Sequence, residues 1–376
     1  MSSSDKRGPL QTARRAQLLQ ALQRDGVLRI SDLTVALGAA PVTIRRDIAQ
    51  LAAEGLVRRV HGGVALPISD DEVVADAPAV EDIPVIASPL TGRSLGMLVP
   101  SLDYYWPSVA RGAEEAAREL DMRIVLRGSS YEIEDDLPQL TRLVDQGLDA
   151  LIVTPRMGTP TTDRTIEWLA SVGLPVVLLE RTATVGPHRA VLESVVTDHA
   201  LGAAMAVRHL VSLGHRKVGV VLAERSPTQP HVRRGWLDAA AECGLDIDAT
   251  VDTLVPDARS AECNPALDSV IERCRDTGTT ALLVHADAEA IALVQRCEER
   301  HLAVPDDLSI VAYDDEVAGL FSPALTAVRP PRRSIGRAAV RLVADRLADP
   351  DRPTHRVVIS PSLRVRDSSV PPPTAR

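Results

Sequence analysis

The sequence predicts an α/β fold in which a small helical head precedes a large body built on parallel sheets. Residues 1–65 carry ten basic side chains against five acidic ones, a net charge of +5, whereas the 376-residue chain as a whole carries −9. From residue 94 onward, short apolar runs alternate with amphipathic stretches. This alternation is typical of strands and helices in a parallel sheet that is covered on both faces.

The head reads as three helices followed by a strand pair. A first helix is predicted near 12–24, a short second helix begins after Ser31, and a third spans 41–54. The third helix places three apolar side chains on one face: Ile44, Ile48 and Leu51. Residues 56–65 then alternate as two strands around a Gly-Gly turn. Two helices joined by a short turn and followed by a β-ribbon form a winged helix-turn-helix.

The third helix also carries the chemistry of a DNA reader. Its own core needs only one face, so the other face can enter a major groove, where arginine reads guanine. The segments TIRRD (43–47) and GLVRRVHGG (55–63) resemble the winged helix-turn-helix of the DeoR family. The resemblance implies a DNA-facing set: Thr43, Arg45, Arg46, Arg58, Arg59 and His61. The alternatives are a solvated helix face for the arginines and an ordering role in the wing turn for His61.

Residues 66–91 separate the head from the body. They contain six acidic residues and four prolines among small side chains, with no sustained period. This composition is typical of a linker.

The body contains about nine predicted strands with a boundary near Thr197, which favours two doubly wound parallel sheets side by side. Ligands of such folds bind beyond the carboxyl ends of the strands, here between two lobes. Four segments, 99–121, 198–221, 304–315 and 323–347, resemble the sensor domain of LacI/GalR-type regulators, which is itself similar to periplasmic sugar-binding proteins. The resemblance implies that residues 92–367 form this domain and that the chain crosses between lobes three times. It places 92–196 and 314–348 in lobe one, 197–313 and 349–367 in lobe two, and leaves 368–376 as a tail.

The predicted ligand site combines aromatic and charged side chains at strand ends. Tyr105 and Trp106 follow the first body strand, where the resemblance implies an aromatic pair that covers the apolar face of a sugar or a base. Asp287 follows a later strand and is suited to accept hydroxyl hydrogen bonds. Arg181 points to the same layer. The alternatives are surface packing for the aromatic pair, a helix N-cap for Asp287 and an ion pair for Arg181.

The chain departs from the LacI/GalR pattern at two positions. Val232 stands where the family usually has an arginine, and Arg233 and Arg234 follow it. Because one helical residue rotates a side chain by ~100°, neither arginine inherits the role. Ala258 lies where the family often has an aromatic residue.

These features predict a ligand-controlled transcription factor, most simply a repressor that binds operator DNA as a homodimer. A small sugar-like effector is expected between the lobes. The alternatives are a nucleoside or purine effector, an activator, and a binding protein with a vestigial head. The body lacks a G-x-G-x-x-G motif after a strand, a P-loop and a G-x-S-x-G elbow, so an enzyme of sugar-phosphate type is not favoured. No metal, cofactor, membrane span or export signal is predicted, and the expected compartment is the cytoplasm.

Overall fold

The computed structural model describes residues 92–129 and 135–373 continuously. In the head it describes residues 15, 17–19, 21, 27–29, 33, 39, 43–44, 47–48, 50–51, 57–60 and 63–65. The chain divides into two compact units, Met1–Val85 and Ile86–Arg376. The predicted linker at 66–91 lies outside the described residues.

The head contains a small antiparallel sheet of three strands. They are β1 (Val27–Arg29), β2 (Arg58–Val60) and β3 (Gly63–Ala65), in the order β1-β3-β2. The predicted strand pair is thus confirmed as β2 and β3, which pair between Val60 and Gly63. The sequence reading did not predict β1, which extends the wing to three strands.

The head core confirms the predicted apolar face of the third helix. Its buried side chains are Leu18, Leu33, Ile44, Ile48, Leu51 and Val57. Beside this core, the carboxylate of the buried Asp47 lies 3.2 Å from Nε of Arg15. The aspartate of the TIRRD segment therefore joins the third helix to the first, since a buried carboxylate needs a charged or hydrogen-bonding partner.

Lobe one of the body is a six-stranded parallel sheet with helices on both faces. Its strands are β4 (Ser94–Val99), β5 (Arg123–Gly128), β6 (Ala150–Val153), β7 (Val176–Leu179), β10 (Glu193–Thr197) and β16 (Arg356–Ile359). Their order is β16-β10-β7-β6-β4-β5. Helices α1 (Trp106–Glu119) and α8 (Arg332–Ala348) cover one face, and α2 (Leu137–Val144) and α3 (Thr162–Ser171) cover the other. A hairpin of β8 (Thr184–Val185) and β9 (Ala190–Val191) lies between β7 and β10 along the chain.

Lobe two repeats this arrangement. Its strands are β11 (Val218–Ala223), β12 (Asp252–Val255), β13 (Ala281–His285), β14 (Ser309–Tyr313), β15 (Thr326–Arg329) and β17 (Ser362–Arg364). Their order is β12-β11-β13-β14-β15-β17, and only β17 is antiparallel to its neighbour. Helices α4 (His199–Ser212) and α5 (Gln229–Glu242) cover one face, and α6 (Cys263–Thr277) and α7 (Asp287–Glu299) cover the other.

Glycines permit the closest helix contacts in both lobes. A Cβ at Gly336 of α8 would lie 2.0 Å from the carbonyl oxygen of Val109 in α1. A Cβ at Gly235 of α5 would lie 2.0 Å from the carbonyl oxygen of Ala200 in α4. These distances are far below a van der Waals contact, so each helix pair requires a residue without a side chain at that point.

The two predicted doubly wound sheets and the three crossings between them are confirmed, but two strands lie in the other lobe from the one predicted. Strand β15, predicted in lobe one, pairs with β14 of lobe two. Strand β16, predicted in lobe two, pairs with β10 of lobe one through the register Val195↔Val357. The chain therefore crosses near 198, 330 and 360. Each strand is assigned by backbone pairing, which a boundary drawn along the sequence does not reveal.

The predicted tail is partly structural. Ser368 is fully buried, and its hydroxyl donates to the carbonyl oxygen of Ile310 at 2.6 Å. The imidazole of His215 lies 2.8 Å from the carbonyl oxygen of Val370. Residues 368–370 therefore belong to lobe two.

Within the described residues, no helix is long and apolar enough to cross a membrane. All four cysteines lie in the described part of the chain, and all are free thiols.

Candidate functional site

The carboxyl ends of the strands in both lobes gather polar side chains around the crossings of the chain. Four residues there adopt a positive φ although they are not glycine: Tyr104 (59°), Glu180 (52°), Asp314 (98°) and Asp315 (52°). Left-handed backbone at non-glycine residues costs about 1–3 kcal/mol each and is concentrated at binding and switching sites. These four are among seven non-glycine residues with a positive φ in the described chain, and together with the polar side chains at the strand ends they make the region between the lobes the candidate functional site.

Glu180 is the centre of a buried network that joins the lobes. It follows β7, and its Oε1 accepts from the Tyr105 hydroxyl at 2.5 Å and from the Thr197 hydroxyl at 2.7 Å. Its Oε2 accepts from the Thr197 backbone N–H at 2.9 Å and lies 3.3 Å from Nε2 of His199 in lobe two. Nδ1 of His199 in turn lies 3.0 Å from the hydroxyl of Tyr313. The network therefore spans the first crossing of the chain.

The electrostatics of Glu180 follow from these contacts. Burial alone would raise the pKa of this carboxyl, but His199 and the donors from Thr197 and Tyr105 lower it to about 2. Glu180 is not among the site residues predicted from the sequence. The one available signal was its acidic side chain directly after an apolar run.

Replacing Glu180 by glutamine is expected to lower the free energy of unfolding at pH 7 by roughly 2–4 kcal/mol. The folded-state pKa lies below the ordinary 4.5, so this contribution is present above pH 4.5 and is lost as the pH falls through 2. Urea unfolding at pH 7 and pH 3 measures it, with a smaller difference from wild type expected at pH 3. Exposed Glu167→Gln is the control and should have no effect at either pH. A Glu180→Gln chain as stable as wild type at pH 7 would contradict the network.

The structure divides the predicted aromatic pair. Trp106 is 5% exposed and packs into the core of lobe one, so its predicted role at the ligand does not fit its position. Tyr105 is half-buried, and its hydroxyl is held by Glu180, while the guanidinium of Arg332 lies 5.6 Å from its ring centroid. The ring that remains accessible is that of Tyr104, which is 43% exposed. Tyr104 directly precedes the predicted pair in the sequence.

Asp287 also has a different role from the one predicted. Its side chain is fully buried, and both oxygens accept backbone N–H donors from the loop after β14. Oδ1 accepts from Asp315 at 3.1 Å, and Oδ2 accepts from Glu316, Val317 and Ala318 at 2.7, 2.9 and 3.1 Å. With four donors already in place, the carboxylate holds this loop instead of facing a ligand. Burial raises the pKa of Asp287, and the four N–H donors oppose the rise.

Arg181 lies at the predicted strand-end layer. It follows Glu180 in the chain, is half-buried, and one of its guanidinium nitrogens donates to the carbonyl oxygen of Glu180 at 2.6 Å. The predicted contact with a ligand stays a prediction.

Two further strand-end aspartates, which the sequence reading did not select, follow β14. Asp315 is buried and lies 2.6 Å from Nε of Arg329 and 2.7 Å from a guanidinium nitrogen of Arg366. Its neighbour Asp314 is 9% exposed, and its carboxylate accepts no hydrogen bond from the described residues. Both belong to the YDD sequence at the end of segment 304–315, which resembles the LacI/GalR-type sensor domain.

The contacts of Val232, Arg233 and Arg234 in α5 show what these residues do where the chain departs from the LacI/GalR pattern. Val232 is fully buried in the core of lobe two. Arg233 pairs with Asp252 at 2.5 Å, and Arg234 lies 3.6 Å from Asp238 one turn along the helix. Both arginines are thus engaged on the exposed side of the helix, as expected if neither inherits the family's ligand contact.

The structure describes three of the six residues predicted to face DNA: Thr43, Arg58 and Arg59. Thr43 is helical and half-buried, and the backbone of Arg58 and Arg59 lies in β2. Three predicted contacts lie outside the described residues: Arg45, Arg46 and His61. Throughout the described parts of the head and body, no group of three or more His, Cys, Asp or Glu side chains is arranged to hold a metal ion.

Comparison with known protein families finds a separate match for the head and for the body. Residues 14–70 match the DeoR-like helix-turn-helix domain, and residues 207–369 match the periplasmic binding protein-like domain. The chain joins a DeoR-like DNA-binding head to a periplasmic binding protein-like sensor body. This combination is that of a transcriptional regulator, as the resemblance implied.

Proteins similar to this regulator are themselves transcriptional regulators. The transcriptional repressor PurR of Aliivibrio fischeri (strain MJ11) is 25% identical over 340 residues, covering 86% of this chain and 97% of that protein. The transcriptional regulator DegA of Bacillus subtilis (strain 168) is 26% identical over 294 residues, covering 76% and 85%. Among solved structures, a LacI family regulator from Enterococcus faecium with bound ribose is 25% identical with a TM-score of 0.60, covering 74% of this chain and 99% of that one.

Proposed function

We propose that this regulator is a repressor whose affinity for operator DNA is set by a small sugar-like effector bound between the lobes. The observation that carries the proposal is the group of strained, polar strand ends around the crossings of the chain. A ligand held by side chains of both lobes binds one lobe orientation better than others and therefore shifts the equilibrium between them. The ribose in the structure of the Enterococcus faecium regulator supports a sugar as the effector class.

The head supports the other half of the proposal. Two heads of a homodimer would occupy two half-sites of an operator, with the third helix in the major groove. We propose that Thr43, Arg45, Arg46, Arg58, Arg59 and His61 contact the DNA. Because Glu180, Asp287 and Asp315 are engaged in hydrogen bonds and ion pairs that hold loops and lobes, they support a binding role over catalysis. The absence of sugar-phosphate turnover by the purified chain would agree with that role.

The test uses the full chain and an operator selected from a random double-stranded DNA library. Its affinity is measured with and without ribose, cellobiose and adenosine, the last standing for the nucleoside alternative. At least one compound is expected to change operator affinity and to raise the Tm of the chain, since a ligand at 100 times its Kd stabilises by about 2.7 kcal/mol. Operator binding that none of the three changes would overturn the proposed effector class.

A further inference from the structure

The three-stranded sheet of the head is basic. Its strands β1, β2 and β3 contain three arginines, no acidic residue and otherwise only glycine, alanine, valine and leucine. Two of the arginines, Arg58 and Arg59, belong to the predicted DNA-facing set, whereas Arg29 of β1 does not. Strand β1 was not predicted from the sequence, so the place of Arg29 in the wing follows only from the strand pairing.

The register of the sheet assigns the three arginines to two faces. In an antiparallel ladder, residues directly opposite each other lie on the same face, and so do alternate residues along a strand. The sheet has three rows of opposite residues: Val27, Ala65 and Arg58; Leu28, Val64 and Arg59; Arg29, Gly63 and Val60. The first and third rows share a face. Arg29 and Arg58 therefore lie on one face of the sheet, and Arg59 lies on the other.

The face that carries Arg59 is the one next to the head core. Leu28 and Val64 lie on it, and Val57, which directly precedes β2 and alternates with Arg59, is buried in the head core. Because β2 is an edge strand, this place is compatible with the DNA contact proposed above for Arg59. The face that carries Arg29 and Arg58 is accordingly the one away from the core.

On that second face, the two arginines lie on either side of a strand of small residues. The middle strand β3 contributes Gly63 and Ala65 to it. Since glycine has no side chain and alanine only a methyl group, a nucleic-acid backbone can approach the middle strand closely. Strands ~4.8 Å apart and residues ~3.4 Å apart place the Cα atoms of Arg29 and Arg58 roughly 12 Å from each other, so each can contact a different phosphate.

We propose that Arg29 is a further DNA-contacting residue, which binds one backbone phosphate from the first strand of the wing while Arg58 binds another across the strand of Gly63 and Ala65. The inference rests on the proposed function, in which the head binds operator DNA. A phosphate contact fixes the position of a protein on the duplex but carries no sequence information. Arg29 should therefore contribute equally to the binding of operator and of unrelated DNA.

The test measures how the affinity of the full chain for DNA depends on salt, with the selected operator and with an unrelated duplex of the same length. Each phosphate contact adds about 0.9 to the magnitude of the slope of log affinity against log salt. Arg29→Ala should lower that magnitude by about 0.9 on both duplexes, so the ratio of wild-type to variant affinity should shrink about 3.5-fold between 50 and 200 mM salt.

Three further variants show whether the charge at this position is what matters. Arg29→Lys should keep the wild-type slope, because lysine also binds phosphate, as a point charge. Arg29→Gln, which removes the charge and keeps a long polar side chain, should match Arg29→Ala. The double variant Arg29→Ala, Arg58→Ala should lose about twice as much slope as Arg29→Ala, since contacts of separate residues add.

Arg233→Ala is the matched control, because Arg233 is an exposed arginine of the sensor body that pairs with Asp252. It should keep the wild-type slope. An unchanged slope in Arg29→Ala and Arg29→Gln, a loss confined to the operator, or a lower Tm without a change of slope would overturn the assignment of Arg29 while leaving the proposed function intact. A wild-type chain that binds neither duplex would contradict the proposed function and the inference with it.

Discussion

Replacing Arg45 and Arg46 together by alanine is expected to lower the affinity for operator DNA by about 30-fold to 20,000-fold. Each arginine that reads a guanine contributes roughly 1–3 kcal/mol of discrimination, and both lie in the TIRRD segment of the proposed reading helix. Operator binding is measured at fixed salt, because phosphate contacts make affinity strongly salt-dependent. The Tm shift produced by the effector should not change, since the sensor body is untouched.

The chain contains a matched control for this change. Arg233 and Arg234 are also adjacent on a helix, but they lie on the sensor body and pair with Asp252 and Asp238. Their double alanine variant should bind the operator as wild type does, because exposed ion pairs contribute little to stability. Wild-type operator affinity in the Arg45→Ala, Arg46→Ala chain would show that the third helix of the head is not the reading helix.

Replacing Asp287 by alanine is expected to lower the free energy of unfolding by roughly 3–6 kcal/mol, the second large effect. The change removes the acceptor of four backbone N–H groups at residues 315–318, and a buried donor left without a partner costs about 1–3 kcal/mol. Because this loop begins directly after Asp314, the response to the effector should also be lost. Denaturant unfolding of the full chain measures the first effect, and operator binding with effector measures the second.

Asp257→Ala serves as the control for Asp287. Asp257 also follows a strand of lobe two, but it is exposed, and among the described residues its carboxylate accepts only from the backbone N–H of Arg259 at 2.8 Å. Its loss should change stability by less than about 0.5 kcal/mol. An Asp287→Ala chain of wild-type stability that no longer responds to the effector would instead restore the direct ligand contact first predicted for Asp287.

The position of the candidate site could largely be predicted from the sequence, but the role of each residue in it could not. The aromatic pair Tyr105 and Trp106 was predicted, yet the neighbouring aromatic residue with the largest exposed fraction is Tyr104, and Trp106 is buried. At the ends of β13 and β14, the sequence shows acidic residues, but Asp287 accepts four backbone donors while Asp314 accepts none from the described residues. The role of Glu180 could not be predicted because its partners Tyr105 and His199 are 75 and 19 residues away along the chain. Such partnerships leave no local pattern.

By itself, the sequence determined the order of elements, the charged head, the two parallel sheets and the strand ends at which function would lie. These features follow from apolar periodicity and capping, which are properties of neighbouring residues. The tertiary structure alone decided that β15 and β16 exchange lobes and which carboxylate is paired. Strand pairing and hydrogen bonding depend on distances between residues far apart in the chain, and a buried polar group acquires its role only from the partner that folding brings to it.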